Sequence, residues 1–352
     1  MISPLLNLPG AVAGDGIDAG VAAHYGSLYG EQRALAAGEG FVDLSHRDVL
    51  RVSGPDRLTW LHSLTSQAFE GLQPGVWTHA LVLSPQGHIE HAFAGVDDGE
   101  AFTAHTEPGR AAALIDFLDR MRFMMRVEVT DVTADIAIAW RPAPPGGRGG
   151  RASDRHETPG PSGEAGRYDL IPRDQLEKYA DAAGPAAGLW AFEALRIARG
   201  EPRFGIDTDE RTIPNEVGWL GVEDGPAWAA VHLDKGCYRG QETIARVHNL
   251  GRPPRRLTLL HLDGSENRLP AAGSPVVEVR GAPAPSLETS GAPTRPVGRV
   301  GSSARHHELG PISLALLKRN VAIDAALDVD GLPASQEVLV DPEVGLHFRP
   351  QR

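Results

Sequence analysis

Lys235-Gly-Cys-Tyr-Arg-Gly-Gln-Glu242 holds the only cysteine in a chain of 352 residues. Two glycines punctuate the stretch, and a segment able to start a helix follows it. A thiol at a helix N-terminus lies near positive dipole charge, which favours its nucleophilic, ionised form. Lys235, Arg239 and Arg246 add cations. The competing reading of a single cysteine is a small buried hydrophobe that shapes a turn. Cys237 is the first candidate functional residue. Gly236 and Gly240 are expected to allow backbone angles or close approaches that a Cβ forbids. Lys235 and Tyr238 read equally well as functional groups and as anchors of the turn.

Just beyond lie Gln241, Glu242 and Arg246. On a helix starting near Gly240, Glu242 and Arg246 are four apart and can pair on one face. The sharper alternative gives Arg246 or its neighbours an anionic ligand. Arg246, His248, Arg252, Arg255 and Arg256 form a basic run in a chain of net charge −12. Such a run suits carboxylates or phosphates, and equally a solvated linker. No aromatic residues interleave for base stacking, so the run gives direct RNA contact little support. The acidic balance argues against broad coating of nucleic acid.

Apolar content of 41% and charged content of 23% are those of a globular protein with a substantial core, in two or three domains. One cysteine excludes an intramolecular disulfide and a four-cysteine zinc or iron–sulfur site within one chain. Reducing cytoplasm is the natural setting. The first residues lack a basic n-region, and no run of 18 apolar residues predicts a membrane span. His88 and His91 point to opposite faces of a predicted strand, and His306-His307 has no partner of evident spacing. No metal site is expected.

Residues 1–20 are Gly/Ala-rich and read as a loose lead-in, with glycine spacing wrong for a dinucleotide fingerprint. Val49, Leu50 and Val52 predict a strand. Gly54-Pro55-Asp56 opens a helix striped by Leu58, Leu61 and Leu64. His79–Leu83 and Ile89–Val96 predict a hairpin turned by Ser84-Pro85-Gln86-Gly87. A strand at Ala101–His105, a helix carrying Leu114, Phe117, Leu118 and Met121, and a strand at Val127 and Val129 follow. Residues 141–167 are Gly/Pro-rich and read as a mobile insertion. Helices are expected near 173–183 and 188–199. After Pro253-Pro254 come short strands at 257–262, 275–280, 297–300, 312–317 and 337–340, with an exposed loop at 281–296. This is the pattern of a small antiparallel barrel.

Three segments together resemble the superfamily of the glycine-cleavage T-protein. They are Gly40-Phe-Val-Asp-Leu-Ser45 through Val52-Ser-Gly-Pro-Asp56 and Leu72-Gln-Pro-Gly75, Leu195-Arg-Ile-Ala-Arg-Gly200 through Ile213-Pro-Asn-Glu216, and the octet at 235–242 with Ala245-Arg246. The octet is similar to the signature of the YgfZ branch, folate-binding proteins linked to iron–sulfur cluster maintenance and tRNA modification. The T-protein branch has no cysteine there.

The resemblance implies an α+β fold with three domains in a ring around a central folate channel. Two intertwined α+β modules would span 1–250, and an antiparallel β-barrel 253–345. It implies tetrahydrofolate or a derivative as cofactor, and iron–sulfur enzymes or cluster-assembly proteins as partners. It places Glu216, Asp207 and Asp209 near the ligand cavity, against the plainer reading of turn chemistry. The T-protein's acidic pair after the glycine turn has no match here: approximate matching puts His91 and Ala92 there, with Glu90 one position off. Its glutamate before the glycine ending the middle helix is also missing, at Ala198-Arg199-Gly200. Aminomethyl transfer is thereby in doubt, unless His91 replaces the acid as a general base. A third possibility is a binding module without a cofactor.

Overall fold

A computed structural model describes residues 1–142, 158–159, 165–222, 226, 228–279 and 295–347. Contacts divide the chain into two compact units, Met1–Leu195 with Trp219–Ile244, and Arg196–Gly218 with Ala245–Arg352.

The first unit runs α1 (Leu28–Ala36), β1 (Phe41–Asp43), β2 (Asp48–Ser53), α2 (Arg57–Leu64), β3 (Trp77–Leu83), β4 (Ile89–Asp97), β5 (Ala101–Thr106), α3 (Ala111–Arg120), β6 (Glu128–Asp131), β7 (Ile136–Pro142), β8 (Thr158–Pro159), β9 (Ala165–Pro172), α4 (Leu176–Ala183) and β10 (Ala186–Ala187). Among the described residues, one five-stranded antiparallel sheet has the order β3-β4-β5-β2-β6. Alternation decides its faces. Val52, Ala80, Val82, Phe93, Phe102 and Ala104 share a core with Trp60, Leu61, Leu114 and Phe117 of α2 and α3. The second sheet, β8-β9-β7-β1-β10, is antiparallel except for the parallel β1–β10 pair. Burying the core cluster around Val42, Ile138, Trp140, Phe192 and Leu195 supplies its hydrophobic driving force.

The hairpin β3–β4 turns where expected, with Gly87 N–H donating to Ser84 O at 2.9 Å. The helix after Gly54-Pro55-Asp56 is α2. The lead-in at 1–20 is not loose. Ser3 Oγ donates to Asp43 Oδ2 at 2.5 Å, Ser3 N–H donates to Gly20 O at 2.8 Å, and Leu5 is buried. Val12–Ala13 also pairs antiparallel with Ala22–His24, so backbone bonds dock a segment whose composition alone reads as flexible. Of the expected insertion 141–167, residues 143–157 and 160–164 lie outside the described residues, while 141–142 and 165–167 belong to strands β7 and β9.

The division between units falls inside α5 (Leu189–Ala198) and α6 (Gln241–Leu250). The second unit carries β11 (Arg255–Leu262), β12 (Pro275–Glu278), β13 (Gly298–His306), β14 (Gly310–Lys318), β15 (Leu327–Val329) and β16 (Leu332–Val338). These six close a barrel in the order β11-β14-β13-β12-β15-β16. All its pairings are antiparallel. Leu260, Val276, Val300, Ala315, Leu317 and Val329 fill its interior. The sequence pattern missed β15, and placed the last strand at 337–340 where β16 covers 332–338. The expected loop 281–296 lies outside the described residues as far as 294.

Candidate functional site

Cys237 is exposed and its thiol is free. It stands four residues ahead of Gln241, the first residue of α6, so it is outside the first turn where the helix dipole acts. What holds the thiol in place is its loop. Lys235 is buried and donates from Nζ to three backbone carbonyls: His62 O, Thr65 O at 2.6 Å and Gln67 O at 3.2 Å. Burial pulls its pKa down to about 8. Its ammonium lies 5.1 Å from the centre of the Tyr238 ring. Tyr238 is buried as well, which pushes its hydroxyl up to about 12.

The other end of the octet docks on the β3–β4 turn. Gly240 has φ +82°, and a Cβ there would lie 2.5 Å from Ser84 O and 2.9 Å from Gly87 Cα. Gly87, at φ +83°, faces it with somewhat more room, since its Cβ would meet Thr243 at 3.0 Å and Gly240 O at 3.3 Å. The two glycines let two backbones touch. Gly236 differs: a Cβ there would meet nothing within 4 Å, so the structure gives no steric reason for that glycine. Arg239 reaches Glu90 with Nη1 at 2.9 Å and Nη2 at 3.4 Å. The one acid near the hairpin's glycine turn is thus neutralised by the octet itself.

Gln241 continues the turn through its N–H to Tyr238 O at 3.2 Å. Glu242 and Arg246 are both exposed, and among the described residues no ion pair joins them. His91 packs against Phe117, ring centres 5.9 Å apart. Burial, reinforced by Arg110 and Arg120, lowers its pKa to about 4. A general base with so low a pKa is poorly matched to neutral pH.

In the second unit, Glu216 and Asp209 share one arginine. Arg255 donates from Nε to Glu216 Oε1 at 2.9 Å and from Nη2 to Oε2 at 2.8 Å. Its Nη1 reaches Asp209 Oδ2 at 2.7 Å. Glu216 is 1% exposed and also accepts Ile213 N–H at 3.1 Å. Burial works to raise the Asp209 carboxyl, but hydrogen bonds from Arg255 and Thr212 override it and hold it well below the usual range. Asp207 is buried against Arg196 at 3.0 Å and accepts the Ser302 N–H at 2.6 Å. Three arginines of the basic run have partners within the unit, whereas Arg246 is exposed. Arg255 braces Glu216, Arg252 pairs with Glu343 at 3.0 Å, and Arg256 is fully buried on Thr258 and Gln336.

A cavity of about 560 Å³ lies where β9 and α4 meet Trp77 and Val96. Trp77 and Tyr168 wall it, with ring centres 5.3 Å apart, and Gln175 and Lys178 stand at its rim. Behind them the His105 ring lies tilted at 56° to Tyr168, centres 4.6 Å apart. The cavity is open to solvent, and its largely apolar lining, with Asp169, Gln175 and Lys178 as polar groups, can take a planar ring against Trp77 and Tyr168. Sequence reasoning missed all of these residues, because they are aromatic or ordinary polar types scattered from 77 to 179. The cavity adjoins Trp77 and Val96, the open end of the β3–β4 hairpin; Gly240, at one end of the octet, docks at its turn, while Lys235, at the other, binds Gln67, whose side chain donates to His79 O of β3 at 3.1 Å. Six residues of strand separate the two ends of the hairpin by about 20 Å.

Among the described residues, no helix is long and apolar enough to cross a membrane, and no group of three His, Cys, Asp or Glu side chains is placed to hold a metal ion.

Comparison with known proteins gives the fold an independent standing. The crystal structure of the glycine cleavage system aminomethyltransferase T from Bartonella henselae superposes with TM-score 0.72, covering 99% of this chain and 97% of that one at 18% identity. The chain thus has the glycine-cleavage aminomethyltransferase fold. Among curated proteins, a chloroplastic protein of Arabidopsis thaliana named for a transferase activity is 29% identical over 250 residues, 63% of this chain and 56% of that one. A mitochondrial iron–sulfur cluster assembly factor IBA57 homolog of Mycosarcoma maydis is 24% identical over 61% of this chain and 55% of its own. The aminomethyltransferase of Nitrosococcus oceani is 26% identical over 67% and 70%. The chain spans little more than half the length of the first two. No protein-family model matches it.

Proposed function

We propose that this chain is a folate-binding accessory protein of the YgfZ type, supporting iron–sulfur cluster assembly or repair and, through client enzymes, tRNA modification. One observation carries the reading: the sole thiol is exposed on a loop pinned at both ends, by Lys235 at α2 and by Gly240 at the β3–β4 turn. A packing cysteine would be buried. The similarity of the octet to the YgfZ signature and the relationship to a protein named as an iron–sulfur cluster assembly factor support it.

Tetrahydrofolate would stack its pterin on Trp77 and Tyr168, with Lys178 and Gln175 meeting its polar groups. Bound there, it supplies a reduced ring whose nitrogens carry one-carbon groups. In this reading the partners are iron–sulfur enzymes or assembly proteins, the setting is cytoplasmic, and the working divisions are a folate-binding region at 1–250 and a barrel at 253–345.

A tetrahydrofolate-dependent aminomethyl transferase is the second reading, favoured by the fold and by the relatives named aminomethyltransferase. Against it, Glu90 is held by Arg239 and His91 is a weak base. The test is tetrahydrofolate titration of the wild type, Cys237→Ala and Trp77→Leu, beside rescue of an iron–sulfur-dependent tRNA modification in a strain lacking the homologous activity. Cys237→Ala should bind folate and fail to rescue. Full rescue by Cys237→Ala refutes the thiol role. Absence of folate binding in the wild type favours a cofactor-free interaction module.

A further inference from the structure

The structure assigns Lys235 as the positioning residue of the thiol loop: its ammonium closes the C-terminal end of α2 and thereby fixes the backbone that presents Cys237. The significance of this assignment rests on Cys237 being the functional thiol, but its geometry does not.

A helix ends with carbonyls that lack intrahelical partners and with partial negative charge. α2 ends at Leu64. The Leu61 carbonyl is satisfied locally by Thr65 N–H at 3.1 Å and Thr65 Oγ1 at 2.8 Å. His62 O, Thr65 O and Gln67 O instead receive the three donors of one ammonium that arrives from 168 or more positions along the chain. A lysine carries three N–H donors and no acceptor, so the site matches its full capacity. Cys237 is two positions beyond this clamp, and three more reach the close backbone contact at Gly240. A chain fixed at both ends of so short a span has little freedom between them.

The groups around the ammonium are few. Glu70 is the acid that favours its charge, the Tyr238 ring lies beside it, and His62 and His232 stand in the same neighbourhood. Burial opposes the charge more strongly than Glu70 supports it, so the ammonium is lost at milder alkalinity than an exposed lysine's. The neutral amine keeps two donors for three carbonyls and no charge for the helix end.

Because the chain has one cysteine, a nitroxide methanethiosulfonate labels Cys237 of the unaltered sequence without ambiguity. The electron paramagnetic resonance line shape then reports nanosecond motion of the loop. The wild type should give an immobilised spectrum at pH 7 that loosens as pH rises through about 8. Lys235→Met should be mobile throughout and lose the pH step, with motion faster by about threefold or more. Lys235→Arg, which keeps the cation, should restore order and abolish the step. Circular dichroism checks that each variant folds. Should Lys235→Met not fold, the wild-type pH titration gives the same readout.

An immobile label in folded Lys235→Met, or a wild-type line shape flat from pH 7 to 10, overturns the assignment. Neither result bears on whether Cys237→Ala rescues the client pathway, so failure of the clamp and failure of the functional reading are told apart.

Discussion

Replacing Glu216 by glutamine tests whether this acid belongs to the ligand or to the framework. Its carboxylate is 1% exposed and accepts three hydrogen bonds: two from Arg255, at 2.9 and 2.8 Å, and one from Ile213 N–H at 3.1 Å. Glutamine keeps the shape, offers one acceptor oxygen and turns an NH2 toward a donor. At least one charge-assisted bond is lost, worth about 1.5–3 kcal/mol. Breaking a buried pair outright costs about 3–5 kcal/mol. Arg255 retains Asp209 at 2.7 Å, so its charge is not stranded, and the expected loss is about 2–3 kcal/mol. Arg255→Met strands the Glu216 carboxylate in the interior and should cost more, about 3–5 kcal/mol. The double variant Glu216→Gln with Arg255→Met should lose less than the sum of the single losses, because the two residues act as one unit.

Both residues belong to the second unit, whereas all six tryptophans, Trp60, Trp77, Trp140, Trp190, Trp219 and Trp228, lie in the first. Hydrogen exchange of β11 and β14, read by mass spectrometry beside tryptophan emission during urea unfolding, therefore separates the units. Glu216→Gln should accelerate exchange in the barrel while leaving folate affinity within about twofold of the wild type, a difference below 0.5 kcal/mol. If barrel exchange is unchanged and folate affinity falls tenfold, Glu216 is a ligand residue and the framework argument is wrong.

Two further outcomes follow from the site. Gly240→Ala forces a Cβ to within 2.5 Å of Ser84 O at positive φ and should destabilise the first unit by about 2 kcal/mol or more in tryptophan-monitored unfolding, whereas Gly236→Ala should stay within about 0.5 kcal/mol. His91 has a folded-state pKa of about 4, below its ordinary value, so the unfolded chain binds more protons between these limits. Its contribution is present above about pH 6.5 and is lost as pH falls toward 4; allowing for partial exposure it is about 1–2 kcal/mol, and His91→Phe should flatten the stability profile over that window.

The barrel was legible because its strands alternate between turns, a pattern fixed by local geometry. β15 escaped notice because three residues are too few to show a period of two. The octet was legible as residue types, but its division of labour was not. Lys235 finds its partners more than 165 residues away, and Gly240 is required only because the β3–β4 turn arrives against it. For Glu216 and the arginine run the sequence left a ligand role and a local role equally open; their partners, Arg255 on Glu216, Arg252 on Glu343 and Arg256 on Gln336, were not visible in it. The aromatic cavity had no signal, since stacking partners carry no spacing rule when separate strands bring them together.

By itself the sequence determined the element types, the barrel, the lone thiol and the absence of a free acid pair after the glycine turn. Periodicity, turn chemistry and residue count are properties of the chain. Tertiary structure alone decided that Cys237 is exposed, that Lys235 rather than a helix dipole governs its loop, that Glu90 pairs with Arg239, and that Trp77 and Tyr168 wall one cavity. Each of these depends on groups distant in sequence meeting within a few ångströms, and such meetings are set by packing.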